Sequence, residues 1–194
     1  MSSTTIKFLA LVRTLHIYLT IFALGALLFF AVTGFMLNHL SWFESDESVV
    51  SEVTSQIDAA HLAGPDRLAV VEALRAQCGI TGVMDTFDTE DDELIVTFSA
   101  PGRWTEAIVD RQTGQATVTA EYSGIAVLLT DLHKAESTGT LGMIAVDAVA
   151  VFLALGAISG FVMLWSLPRR KKAALITTAI GLAVFVVIAL IVAG

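Results

Sequence analysis

Cysteine is almost missing from this 194-residue chain. Cys78 stands alone, so no internal disulfide can form and no cysteine-based metal or haem-attachment motif can be built. Histidine occurs only four times, and no nucleophile–base pair, glycine-rich phosphate loop or dinucleotide fingerprint accompanies it. A complete enzyme acting alone is therefore not expected, and no nicotinamide or flavin domain is built in. Charge is also scarce, at 15% of residues, and acidic residues are confined to one stretch: all 19 lie between Glu44 and Asp147.

What remains is apolar. Hydrophobic residues make up 55% of the chain and the mean hydropathy is +0.76. A membrane-spanning helix needs roughly 20 consecutive apolar residues. Ile17 to Leu37 and Ala173 to Ala193 meet that length without a charge, and Leu141 to Leu167 meets it with one, Asp147. Three spans follow. Lys7 and Arg13 precede the first, and Arg169, Arg170, Lys171 and Lys172 fill the short connection between the second and third. Positive charge near helix ends stays cytoplasmic, so the N-terminus is expected inside and residues 44–136 outside. The first run is too long for a cleaved signal peptide and lacks a small-x-small cleavage site, which makes it an uncleaved anchor. The outer segment holds 18 acids against five bases, a balance that repels nucleic acid and anionic lipid surfaces and suits a solvated surface or a cationic partner.

The expected organisation is an N-terminal segment and first span over 1–43, an inserted α+β domain over 44–123, an interfacial segment over 124–140, and spans over 141–167 and 173–193. Trp42 and Phe43 suit the headgroup level. A helix is expected over Ser48 to His61, and a second after Asp66, which can cap it. Four strands are expected: Val83–Phe87, Glu93–Phe98, Trp104–Asp110 and Ala116–Glu121, broken at Asp91-Asp92, Pro101-Gly102 and Thr113-Gly114. Leu68, Val71, Leu74, Ile95, Phe98 and Ile108 are the candidate core. Gly124 to His133 then leads back to the membrane.

A short repeat links two of the spans. Ala31-Val-Thr-Gly-Phe-Met-Leu37 parallels Ala157-Ile-Ser-Gly-Phe-Val-Met-Leu164, and each helix is preceded by a Leu-His pair, Leu15-His16 and Leu132-His133. Its small residues, with Gly156 and Gly160 four apart, are those that close helix packing uses.

Together, Leu-His with the Thr-Gly-Phe-Met-Leu-Asn-His helix end, Asp131-Leu-His-Lys-Ala-Glu-Ser-Thr-Gly139, Ile144-Ala-Val-Asp147 and Ser159-Gly160 resemble the PepSY-associated transmembrane proteins. The outer segment, with Val70-Val-Glu-Ala-Leu-Arg75 and the Asp110-Arg-Gln-Thr-Gly114 turn, is similar to a PepSY domain. The resemblance implies an α-helical protein of the bacterial inner membrane, with three transmembrane helices around a small periplasmic PepSY-like domain. Larger relatives resemble b-type cytochromes, some of them ferric-siderophore reductases. PepSY domains themselves are associated with protease inhibition or periplasmic binding.

Four histidines bound what a cofactor could use. His16 and His39 are 23 helical steps apart, about 35 Å, and cannot share one. His39 ends the first span and His133 precedes the second on the same face, so these two are the candidate axial ligands of one b-type haem, which the resemblance implies. His at a helix end near the interface is equally explained as a half-wet ring needing no ligand. His16 lacks a partner within the chain and is a candidate ligand between subunits. His61 is expected at the domain surface. Asp147, a carboxylate in an apolar span, is a candidate to orient a ligating histidine or to bond Thr33 or Asn38 structurally. The functional expectation is a small haem-binding, electron-transferring subunit working at the outer face, toward ferric iron or a periplasmic redox protein. The alternative is a cofactor-free accessory or scaffold subunit whose PepSY-like domain binds a partner protein. Either way, the expected surroundings are the lipid bilayer and a homo-oligomer or a larger membrane complex.

Orientation is open to direct test. Cysteines introduced at Ser45 and Ser123 should react with an impermeant reagent in intact cells, above the Cys78 background. Reaction only after permeabilisation would reverse the orientation drawn from charge.

Overall fold

No proline occurs before Pro65, so nothing interrupts the first apolar run, and α1 extends unbroken over Ser3–Asn38. At 1.5 Å per residue it is about 54 Å long, well beyond a bilayer's ~30 Å hydrocarbon core. The computed structural model describes residues 2–43, 48–58, 62 and 66–194. Two further helices are long and apolar enough to cross a membrane. The first, α4, covers Gly139–Met163 and ends in a 3-10 turn, Leu164–Ser166, just before Pro168; the second, α5, covers Lys171–Ala193. These three helices make the chain a membrane protein. The molecule divides into two compact units, Met1–Leu27 with Ala148–Gly194, and Leu28–Asp147.

The second unit contains a five-stranded antiparallel sheet: β1 Val49–Gln56, β2 Val83–Thr89, β3 Glu93–Ala100, β4 Arg103–Asp110 and β5 Gln115–Tyr122. Its order is β1-β5-β4-β3-β2. Over the described residues 48–58 the helix expected from Ser48 to His61 is not there; Val49–Gln56 instead supply β1. Its β-branched residues Val49, Val50, Val53 and Thr54 favour a pleated backbone. Pairing with β5 runs from Val49 opposite Tyr122 to Gln56 opposite Gln115 and covers the edge that four strands would leave open. His61 lies outside the described residues.

The other expected elements form. Asp66 caps α2 (Arg67–Cys78), its Oδ1 accepting from the backbone N–H groups of Leu68 and Ala69. The helix stops at Gly79, whose φ of 66° is the left-handed value that glycine adopts without strain. α2 lies on one face of the sheet, where Val70, Val71 and Leu74 meet Leu94, Val96, Phe98, Ala107, Val109, Ala116 and Val118. The expected core needs correction at three positions. Leu68 is 67% exposed. Ile95 and Ile108 face each other across β3 and β4 but point away from α2, and are only half-buried. Alternate residues of a strand face opposite ways, so Phe98 and Ile95 could never have shared a core.

The Asp110-Arg-Gln-Thr-Gly114 turn closes β4 onto β5. Asp110 Oδ1 accepts from the N–H groups of Gln112 and Thr113, each at 2.8 Å. These two donors, Thr113 first, hold the carboxyl below its usual range.

The chain then forms α3, Gly124–Lys134. The Asp131 carboxylate accepts from the Gly102 N–H in the β3–β4 turn at 2.9 Å. A side chain at Gly102 would stand 2.8 Å from Leu128 Cβ, so this close seating needs the glycine. Lys134 pairs with Glu136 and Asp131 at the end of α3; the Glu136 hydrogen bond is the larger cause of its raised pKa. Asp131 therefore fixes the helix two residues before His133.

Two outcomes follow for the purified full-length chain. Leu74→Ala should lower the unfolding free energy of the sheet domain by about 3 kcal/mol, whereas Leu68→Ala should cost under about 0.5. Because the Asp110 carboxyl is depressed in the fold, its contribution is present above an unfolded value of about 3.9 and lost as pH falls through the folded value. The stability gap between the parent and Asp110→Ala should narrow in acid; a gap that is constant with pH would remove the carboxylate from the account.

Candidate functional site

A ring of polar atoms inside apolar helices must find partners or leave them unsatisfied. His133, near the end of α3, finds them on α1. Its Nδ1 lies 2.7 Å from Thr33 Oγ1, and its ring edge lies over Gly34, where a Cβ would stand 3.3 Å from Cε1. Phe30 closes the site with its ring centroid 4.9 Å from the imidazole. Thr33 is buried, at 2% exposure, and its hydroxyl already donates to Phe29 O at 2.7 Å.

A threonine hydroxyl has one hydrogen. When it goes to Phe29 O, the oxygen accepts from His133, the ring carries its proton on Nδ1, and Nε2 keeps a lone pair.

The other unit holds a counterpart. His16 Nδ1 lies 3.1 Å from Gly156 O and 3.0 Å from Ser159 Oγ, while Ser159 Oγ donates to Gly156 O at 2.9 Å. A carbonyl only accepts, so this ring also carries its proton on Nδ1. The ring lies over Gly160, where a Cβ would stand 3.0 Å from Cε1. Below it, a cavity of about 320 Å³ is lined by apolar residues including Leu19, Ala23, Leu27, Phe152 and Leu153.

The two sites are exchanged between the repeats. The histidine of the first Leu-His pair rests on the Ser-Gly of the second repeat, and the histidine of the second pair rests on the Thr-Gly of the first. Thr33, Gly34, Ser159 and Gly160 thus join the candidate site; in the sequence they stood as packing and family-motif residues, and Thr33 as a partner for Asp147, but not as partners of the histidines. The recurring pattern, Leu-His answered by a hydroxyl residue and a glycine, was the signal for them.

His39 is placed differently. It follows the last residue of α1 and donates from Nδ1 to Phe35 O at 3.1 Å. Its ring stacks on Phe35, with centroids 4.5 Å apart, and meets Trp42 at 4.2 Å. At about 100° per residue, five steps turn it about 140° around α1 from Gly34, where His133 sits. The two rings are not brought together. Asp147 is exposed on α4, and among the described residues it bonds neither Thr33 nor Asn38 nor any histidine. Among the described residues, no group of three or more His, Cys, Asp or Glu side chains is arranged to hold a metal ion.

No curated protein and no solved structure matches the chain. A family model described as Putative PepSY_TM-like matches residues 10–193. With three apolar helices, an α+β domain between the first two and two histidine–glycine contacts that follow its internal repeat, the chain belongs to the PepSY_TM-like family.

Proposed function

We propose that this chain is a b-type haem-binding, electron-transferring subunit of the bacterial inner membrane, in which His133 would give one ring nitrogen to the haem iron. It exchanges electrons on the periplasmic face, where residues 44–136 lie in this reading, toward ferric iron or a periplasmic redox protein. The supporting observation is the 2.7 Å contact between His133 Nδ1 and Thr33 Oγ1. Ligating histidines present one bare nitrogen while donating the other ring N–H to an oxygen, and Thr33 Oγ1 is placed to accept that N–H. Haem would supply the one-electron chemistry. The chain's residues hold the ring: Thr33 bonds its Nδ1, Gly34 lets it lie close to α1, and Phe30 packs against it.

In this reading His39 and His133 are not paired within one chain, since about 140° of α1 separates His39 from the Gly34 beneath His133. A second nitrogen would come from another chain, and His16 likewise would offer one from its own site. A subunit of a homo-oligomer or larger complex meets that requirement.

A second reading has its own supporting observation. In both sites the ring is fully used as a clasp, its Nδ1 bonded and its edge on a glycine, with no cofactor needed to explain it. That favours a cofactor-free accessory subunit that presents its PepSY-like domain to a partner protein.

Pyridine haemochrome on the full-length protein, purified from its native membrane, separates the two. The haem reading expects a b-type spectrum in the parent, most of it lost in His133→Ala and none lost in His39→Ala or His61→Ala. Thr33→Val should keep some haem with a raised midpoint potential, since the ring N–H loses its acceptor and the imidazole becomes a less basic donor to ferric iron. A colourless parent protein, or equal haem in His133→Ala, would leave the accessory subunit as the function.

A further inference from the structure

The apolar helices handle most of their hydroxyl groups in one way. Thr14, Thr20, Thr33, Ser159, Thr177 and Thr178 each donate to a carbonyl three or four residues earlier in their own helix. Asp147 makes no such bond among the described residues. As a carboxylate it would only accept, and within α4 the backbone N–H groups are already taken by the helix.

The position of Asp147 is unfavourable for the chain on its own. Eight steps from Gly139 put it about 12 Å along α4. A helix of 25 residues is about 37 Å long. Centred on a ~30 Å hydrocarbon layer, it would hold Asp147 roughly 8 Å below the boundary. Its short side chain cannot reach the headgroups as a lysine can.

The helix period also turns it outward. Gly142 and Val146 are half-buried, and Asp147 lies about 140° from the first and 100° from the second. Its neighbours on the helix surface, Met143 and Ile144, are 53% and 59% exposed. Next along the same face of this unbroken helix come Ala150 and Ala154, both exposed and small enough for another helix to approach closely.

Among the described residues no lysine or arginine pairs with Asp147, and none of the chain's eleven lies within its three apolar runs; Arg67, Arg75, Arg103 and Arg111 belong to the sheet domain. Among its own cations, Lys7 and Arg13 precede the apolar part of α1, and Arg169 to Lys172 follow α4, the nearest of them 22 residues beyond Asp147. Lys134 is engaged with Asp131 and Glu136. The last turns of α5, from Val186 to Ala193, have no polar side chain. A second copy would bring another carboxylate and no base.

We infer that the Asp147 face of α4 is an interface for a transmembrane helix of a different protein, one carrying a lysine or arginine inside its apolar span at matching depth. A carboxylate in hydrocarbon is stable when paired with such a base, and the flanking alanines let the two helices meet. The inference stands whether or not haem is bound.

The test is photo-crosslinking in the native membrane, with a benzoylphenylalanine introduced in the full-length chain at Ile144 or at Val151. The expected adduct joins the chain to another membrane protein, and the cross-linked peptide carries Lys or Arg within an apolar run. Its yield should fall about tenfold in Asp147→Asn and Asp147→Leu and persist in Asp147→Glu, at equal levels of membrane-inserted chain, because removing one charge strands the other. An adduct with a second copy, an adduct with lipid alone, a partner helix with no base, or a yield unchanged in Asp147→Asn would each overturn the inference.

Discussion

An imidazole ring lying against a glycine is the contact around which both histidine sites are built. At 3.3 Å and 3.0 Å from the point where a Cβ would be, the rings of His133 and His16 would have to give by a few tenths of an ångström to admit a side chain at Gly34 or Gly160. Close approach alone would not hold them, since a ring nitrogen in an apolar setting is costly without a partner. The residue just before each glycine supplies it: Thr33 for His133 and Ser159 for His16. Each hydroxyl is in turn bonded to its own helix, so it is fixed before the ring arrives. Hydroxyl, glycine and imidazole form one device.

Exchange between the repeats gives that device a consequence for assembly. Each histidine is answered by the other repeat, so the site that a repeat begins is completed only by its counterpart. The sheet domain enters through His133. Asp131, two residues earlier, is bonded to Gly102 in the turn between β3 and β4, which ties α3 to the sheet. A change in that turn, far from any histidine in sequence, therefore acts on the ring through α3.

Much of this was legible in the residues. The apolar runs marked the three long helices because length and hydropathy are properties of sequence alone. The Asp66 cap, the Gly79 stop and the three turns were legible because local backbone chemistry decides them. β1 was not. Its Val-Val-x-x-Val spacing fits a helix face as readily as a strand, and only pairing with β5, some 65 residues away, selects the strand. The assignment of Ile95 and Ile108 to the core failed because hydrophobicity does not reveal which strand face a helix covers. At the site, His133 and His16 were visible as candidates, but their partners were hidden for a geometric reason. Two histidines at neighbouring helix ends suggested a converging pair, and the turn of α1 between Gly34 and His39 sets their rings apart.

The same proton placement lets one ring serve in two roles. A hydroxyl that has spent its own hydrogen on a backbone carbonyl takes the imidazole N–H, and in doing so leaves the opposite nitrogen bare. A helix clasp and a ligand-ready nitrogen are thus one arrangement viewed from its two sides. A histidine recruited only to bind helices could have bonded through either nitrogen, and a serine or asparagine could have replaced it. What distinguishes imidazole among those residues is the second nitrogen, aimed away from the bond that fixes the first. Its repetition in two sites, each with a glycine beneath the ring and an acceptor fixed in advance, is the physical reason to look for a ligand at Nε2.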